Sequence, residues 1–251
     1  MIDHVVVDVD IQKTIEETPG GWDATDKLGV ACAVVYEYRT DRFRVYGPED
    51  VDALRERLMS ADRISGYNIW RFDFPVIWAL PGRHRVFALK DKTNDLLARI
   101  WRSLGLNEEQ FTDLHKGWSL NVVAKGTLGA GKIGYGGDAP KWFQEGKWGR
   151  LVNYCADDVA LTRDLATFID RYGYVVNGNT GRVLRITRKS MAAVDRWFEK
   201  LMGKPEGENL APAKRRCRWC GRGDGWDPRW EYVNSRHWYH KVCIDLLDML
   251  G

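Results

Sequence analysis

The sequence predicts an α/β fold, a mixed sheet flanked by helices, with a small cysteine-bearing module after it. Short β-branched runs separated by turns fill the first 46 residues, and helical periodicity dominates from there to about residue 171. Three of the five cysteines, Cys217, Cys220 and Cys243, fall in the last 35 residues. Strands followed by helices in a chain of 251 residues predict one sheet-based domain with an appendage.

The N-terminal segments predict an antiparallel meander of three strands. Residues 5–7 read as a buried strand that ends at two aspartates, and residues 30–38 are β-branched and aromatic. A turn at residues 39–41 separates them from a strand at 43–46.

Helical patterns dominate the middle of the chain. A helix begins at Pro48, where Glu49 and Asp50 favour its N-terminal dipole, and a short strand follows at residues 63–67. Further helices are predicted near residues 72–80, 95–104, 119–128, 151–171 and 190–202, with a hairpin over 175–186. The glycine-rich stretch 126–137 is either a loop near the active site or a mobile surface, two alternatives that the sequence leaves open.

Composition and charge narrow the class of protein. With 44% hydrophobic and 29% charged residues and no apolar run near ~20 residues, the chain predicts no membrane span. The N-terminus is acidic where a signal peptide would be basic, and Cys32 and Cys155 occur singly, as is typical of small buried side chains. Both observations favour the cytoplasm, or the host cytoplasm for a viral protein. Residues 214–243 carry eight basic and three acidic side chains, which indicates an anionic partner.

Three separate acidic fragments form the first functional pattern. Asp8 and Asp10 lie at i and i+2 of a strand, so their side chains project from one side, roughly 6.6 Å apart. Asp158 falls in the apolar stripe of a helix, one turn after Tyr154, and would need a metal or an arginine as partner. Asp73 begins a helix, where the dipole alone would also favour it.

The order of these fragments is similar to a known family. D-x-D at residues 8–10, N-x-x-x-F-D at 68–73 and Y-x-x-x-D at 154–158 resemble the three motifs of DEDD-superfamily exonucleases, tyrosine subclass. The resemblance runs from about residue 1 to 171 and includes Asp95, Ser119 and the segment 139–142. This part of the chain is similar to the proofreading domain of family-B DNA polymerases and to stand-alone ribonuclease H-like exonucleases.

The resemblance implies a metal-dependent 3′–5′ exonuclease that hydrolyses nucleic acid, with DNA favoured over RNA. It implies that two Mg²⁺ or Mn²⁺ ions are used, with Asp8, Asp10 and Asp158 as ligands and Asp73 holding the second ion through water. Tyr154 would orient the attacking water. Asn68 and Phe72 of the second motif are the expected substrate-binding residues.

One position departs from the family pattern. The family usually has Glu where this chain has Asp10, one methylene shorter. Asp10 would still reach a metal if the strand lies closer to the ion, or would act through a water molecule. The alternatives are that Asp10 indicates weakened metal binding or a preference for the larger Mn²⁺. Glu16 and Glu17 are alternative ligands with the wrong spacing.

A second metal site is predicted near the C-terminus. Cys217-x-x-Cys220 and His240-x-x-Cys243 supply three thiolates and one imidazole, a complete tetrahedral set for one structural Zn²⁺. Arginines and tryptophans surround these ligands, so the module is expected to bind nucleic acid, with protein docking as the alternative.

These patterns give the predicted domain organisation. An exonuclease-like domain covers residues 1–175, a hairpin and helix 176–203, a linker 204–213 and the zinc-finger module 214–251. The expected partners are single-stranded 3′ ends and, through the zinc module, a replication or repair protein. The alternatives are a non-catalytic nucleic-acid-binding or scaffold protein that retains the fold, and an endonuclease for structured nucleic acid.

Overall fold

The computed structural model describes residues 2–81, 86–106, 115 and 117–186, together with the backbone of residues 230–234 and 237–240. These residues fall into two compact units. The first contains residues 1–116 and 132–163, and the second contains 117–131 and 164–251.

A five-stranded mixed sheet organises the first unit. Its strands are β1 (His4–Ile11), β2 (Val30–Glu37), β3 (Arg42–Tyr46), β4 (Arg63–Gly66) and β5 (Thr93–Asp95), in the spatial order β3-β2-β1-β4-β5. β1, β2 and β3 pair antiparallel, and β4 and β5 extend the sheet from β1 in parallel. The predicted meander is therefore confirmed, and the α/β fold has a ribonuclease H-like topology.

Six helices accompany the strands in the described part of the chain. They are α1 (Val51–Ser60), α2 (Asp73–Ile77), α3 (Leu96–Ser103), α4 (Leu120–Leu128), α5 (Ala139–Gln144) and α6 (Trp148–Tyr172). No described helix has the length and apolar character that crossing a membrane requires.

Both faces of the sheet are covered because the strand residues alternate. Val5, Val7 and Val9 pack in a core layer with residues of α1 and α2. Val6 faces the opposite layer, where Leu151 of α6 is buried. A strand with apolar residues on both sides is typical of the centre of an α/β sheet, which is the position that β1 occupies.

The second unit contains α4 and a hairpin of β6 (Tyr174–Val176) and β7 (Val183–Arg185). Gly126 of α4 lies against this hairpin, since a Cβ there would be 2.2 Å from the Val176 carbonyl oxygen. The hairpin predicted over 175–186 is thus present. A further antiparallel pair, β8 (Trp230–Asn234) and β9 (His237–His240), lies in the region of the predicted zinc module.

Candidate metal centre

The central strand β1 presents two carboxylates on one face. Asp8 and Asp10 alternate with Val7 and Val9, so they share the face on which Val6 packs toward α6. β4 pairs with β1 only along His4–Val6, so the aspartates lie past the end of that pairing. This end of β1 is where the other acidic fragments of the first unit arrive.

Asp73 is fixed to β1 by its own side chain. It begins α2, is 2% exposed, and its Oδ1 accepts a hydrogen bond of 2.9 Å from the N–H of Val9. Val9 stands between Asp8 and Asp10. The bond therefore places the third carboxylate beside the pair, and not merely at a helix terminus.

The turn that leads to Asp73 is held by Asp95. Asn68 has φ of 67°, and its N–H donates to Asp95 Oδ1 at 3.1 Å, while the Trp70 N–H donates to Oδ2 at 3.0 Å. Asp95 also caps α3 by accepting from Ala98 at 3.2 Å. One buried carboxylate thus fixes the second motif and the start of a helix.

Helix α6 brings the last two predicted residues. Tyr154 and Asp158 lie one turn apart, and each is 2% exposed. Cys155, next to Tyr154, donates from its sulfur to the Asp8 carbonyl oxygen at 3.5 Å, which joins α6 to β1 at this point. The burial expected for Asp158 from its place in the apolar stripe is confirmed.

Lys132 supplies the positive charge at this site. Its Nζ lies 2.5 Å from Asp158 Oδ2 and donates to the Tyr154 hydroxyl at 2.8 Å. The sequence left a metal or an arginine open as the partner of Asp158, and the structure shows a lysine.

The loop that carries Lys132 is shaped by its glycines. A Cβ on Gly134 would lie 3.1 Å from the Tyr154 ring, and one on Gly136 would lie 3.3 Å from its hydroxyl. Tyr135, between the two glycines, and Ile133, before them, are exposed. The loop therefore turns its glycines toward Tyr154, which decides the open question about the 132–137 part of the glycine-rich stretch in favour of a loop at the site.

The carboxylates perturb one another. Burial, followed by the charge of Asp158, raises the pKa of Asp8 to about 7, against an opposing effect of Lys132. Burial and then Asp8 raise the pKa values of both Asp10 and Asp73 well above the usual range. Burial also raises the pKa of Asp158, and Lys132 opposes it. The four groups therefore form one cluster in which simultaneous ionisation of all four carboxyl groups is unfavourable.

Two buried oxygens in this cluster, Asp10 Oδ2 and Asp158 Oδ1, accept no hydrogen bond from the described residues. Ligand atoms of Asp8, Asp10 and Cys155 lie within 4.8 Å of one another. Because buried polar atoms without partners are costly, and carboxylate oxygens suit hard divalent cations, the site fits a metal ion.

The structure brings together the five residues predicted as catalytic: Asp8, Asp10, Asp73, Tyr154 and Asp158. Asn68 and Phe72 lie in the turn before Asp73. Glu17 is exposed and bonded to Thr14 and Gln144. Cys217, Cys220 and Cys243 lie outside the described residues, and His240 is described only by its backbone.

Sequence reasoning missed the roles of two residues at this site. Lys132 sits in a glycine-rich stretch, and no local pattern marks it as the partner of Asp158. Asp95 offered a usable signal, since an aspartate directly before a helix is a typical N-cap. Its bonds to the Asn68 turn depend on β5, a strand that the sequence analysis did not predict.

Solved structures include proteins that are similar to this chain. The family B DNA polymerase from the hyperthermophilic archaeon Pyrobaculum calidifontis matches with 16% sequence identity and a TM-score of 0.46. The match covers 86% of this chain and 32% of the polymerase, so the chain spans about a third of that protein. No protein-family model matches the sequence, and no curated protein matches it either.

Proposed function

We propose that this chain is a metal-dependent 3′–5′ exonuclease that hydrolyses phosphodiester bonds of nucleic acid, DNA in preference to RNA. The observation that supports it most is the cluster of four buried or half-buried carboxyl groups, Asp8, Asp10, Asp73 and Asp158, at one end of the central strand. Carboxylates that raise one another's pKa values at a partly open site are typical of functional centres. The order of the motifs in the sequence supports an exonuclease among the possible activities.

The proposed metal ligands are Asp8, Asp10 and Asp158, with Asp73 acting on a second ion through water. The free oxygens of Asp10 and Asp158 support this assignment. Divalent ions bound there would lower the pKa of a water molecule and stabilise the departing oxygen. Mg²⁺ or Mn²⁺ fits an oxygen-rich set, and the shorter Asp10 in place of Glu favours Mn²⁺ within this proposal.

Tyr154 is proposed to position the attacking water. Burial raises the pKa of its phenol, so the hydroxyl stays protonated at neutral pH and serves as a hydrogen-bond donor, not as a base. Lys132 holds the hydroxyl oxygen by donating a hydrogen bond to it. Asn68 and Phe72, in the turn before Asp73, are proposed to contact the terminal nucleotide.

Digestion of 5′-labelled single-stranded DNA and RNA with added Mg²⁺ or Mn²⁺ tests the proposal. Wild type should give a ladder that shortens from the 3′ end, and Asp158→Asn should abolish it. Asp91→Asn, the same change at an exposed carboxylate, is the matched control and should cleave as wild type does. Cleavage of circular single strands would instead indicate an endonuclease, and cleavage by Asp158→Asn would overturn the proposed site.

A second candidate is a nucleic-acid-binding protein without catalysis. The ion pair between Lys132 and Asp158 favours it, because the ammonium partly neutralises the cluster without a metal. Nucleic-acid binding that needs neither Mg²⁺ nor Mn²⁺, with no cleavage under either ion, would favour this candidate over the exonuclease.

The C-terminal segment has a separate proposed role. Cys217, Cys220, His240 and Cys243 would hold one structural Zn²⁺ in a module spanning 214–251, after the linker 204–213. Its basic residues would engage nucleic acid or a replication or repair protein in the cytoplasm. One zinc per chain by atomic absorption, lost in Cys217→Ser, is the expected result.

A further inference from the structure

Trp22 is a large aromatic side chain that the fold holds in an exposed position. It is 55% exposed and lies in a short 3-10 turn, Gly21–Asp23, on the connection between β1 and β2. Gly20, with φ of 102°, and Gly21, with φ of 56°, adopt the left-handed conformation that this turn requires. Hydrogen bonds from Gly21 to Thr18 and from Ala24 to Gly21 close the turn. The indole is thus displayed from an ordered turn.

The ring of Trp22 contacts the second acidic motif. Its centroid lies 5.9 Å from that of Phe72, at an interplanar angle of 62°. Phe72 directly precedes Asp73, whose carboxylate bonds to β1 between Asp8 and Asp10. The indole therefore contacts the residue next to Asp73, and it lies on the connection that follows the end of β1.

The surroundings of Trp22 indicate what it would bind. Asp23 and Asp26 follow it in the chain, and Lys27 is the nearest cation after it. An anionic phosphate would gain little from these neighbours, whereas a nucleobase offers a neutral π-face. Bases expose that face in single strands, since duplex bases stack on one another.

We propose that Trp22, together with Phe72, forms a stacking platform for bases near the 3′ end of a single-stranded nucleic acid. The proposal rests on the exonuclease function above and names a residue that selects its substrate. Trp22 acts as a binding residue and takes no part in bond cleavage.

The test measures binding and hydrolysis separately. Fluorescence anisotropy of a short labelled single-stranded oligonucleotide is recorded with Asp158→Asn and with the same protein carrying Trp22→Ala. Loss of one stacked base predicts affinity weaker by roughly 5- to 150-fold. Trp22→Phe, which keeps a flat ring, should recover most of that affinity. Phe43→Ala, at an exposed aromatic residue of β3, is the matched control and should bind within about twofold of the parent.

A phosphodiester that carries no base, bis(p-nitrophenyl) phosphate, separates this inference from the proposed function. In an otherwise wild-type protein, Trp22→Ala should leave the rate of hydrolysis of this ester unchanged. Cleavage of oligonucleotides by the same variant should require higher substrate concentrations. Unchanged oligonucleotide affinity in Trp22→Ala, an equal loss in Phe43→Ala, or no oligonucleotide binding by the parent would overturn the platform. Absence of ester hydrolysis together with Trp22-dependent binding would overturn the exonuclease and leave the platform standing.

Discussion

Replacing Asp8 with asparagine should stabilise the metal-free protein. Burial and the neighbouring charge of Asp158 disfavour the ionised form of Asp8, and its pKa is raised from 3.8 to about 7. Asparagine has nearly the same shape but carries no charge, so the repulsion and the desolvation cost of the ionised form disappear. The same change removes a proposed metal ligand, so stability and function should move in opposite directions.

The magnitude follows from the shift in pKa. A shift from 3.8 to about 7 corresponds to at most about 4 kcal/mol, at ~1.4 kcal/mol per pH unit. Relaxation and water at a site that is only partly buried reduce this to about 1–3 kcal/mol. For a chain of this size, the melting temperature should rise by about 2–10 °C.

The sign depends on pH. The folded pKa of Asp8 lies above its unfolded value, so the destabilisation is nearly absent below pH 3.8, grows as the pH rises, and is complete above about 7. Asp8→Asn should therefore melt well above wild type near pH 8 and close to it near pH 4.

Thermal melts of both proteins without added Mg²⁺ or Mn²⁺ provide the assay. Asp91→Asn controls for the loss of one surface charge and should shift by less than about 1 °C at either pH. Equal or lower stability of Asp8→Asn near pH 8 would show that the carboxylates do not repel one another in the folded protein, and would refute the reasoning.

Three further predictions follow from the same contacts. The Mn²⁺ affinity measured by calorimetry should rise from about pH 6 to pH 8, because Asp8 must lose a proton with a pKa of about 7 to bind the ion. An affinity that does not change over this range would contradict the role of Asp8 as a ligand with a raised pKa. Lys132→Met should lower the free energy of unfolding in urea near pH 8 by about 1–3 kcal/mol, because Asp158 loses its charged partner. Added Mn²⁺ should restore part of this stability. An unchanged free energy of unfolding would mean that the ion pair does not stabilise the fold. Asp95→Ala should lower the free energy of unfolding in urea by about 2–4 kcal/mol, because it removes the cap of α3 and both hydrogen bonds to the Asn68 turn. A loss below about 1 kcal/mol would indicate that the turn is stable without these hydrogen bonds.

The sequence was informative where local patterns carried the signal. Alternating and continuous apolar runs predicted β1, β2 and β3, and the apolar stripe of α6 predicted a buried Asp158. The three strands and the burial of Asp158 depend on periodicity, which is visible in one chain. The five residues that the fold gathers were selected by the resemblance to the exonuclease motifs.

Other parts of the site depend on contacts between distant residues. β5 has three residues, too few for a pattern, and it exists because β4 pairs with it. Lys132 reaches Asp158 across 26 positions through a loop whose path is set by Gly134 and Gly136 against Tyr154. Such pairings are decided by tertiary packing, which a single sequence does not encode locally.

The measurement that tests the central claim most directly is a Mn²⁺ titration near pH 8 in which bound ions, by electron paramagnetic resonance, and release of 3′ nucleotides are followed together. The account predicts that cleavage rises with occupancy of the carboxylate site and that Asp158→Asn loses both. Cleavage at full rate without bound Mn²⁺ or Mg²⁺, or saturated Mn²⁺ binding at this site with no nucleotide released, would contradict it.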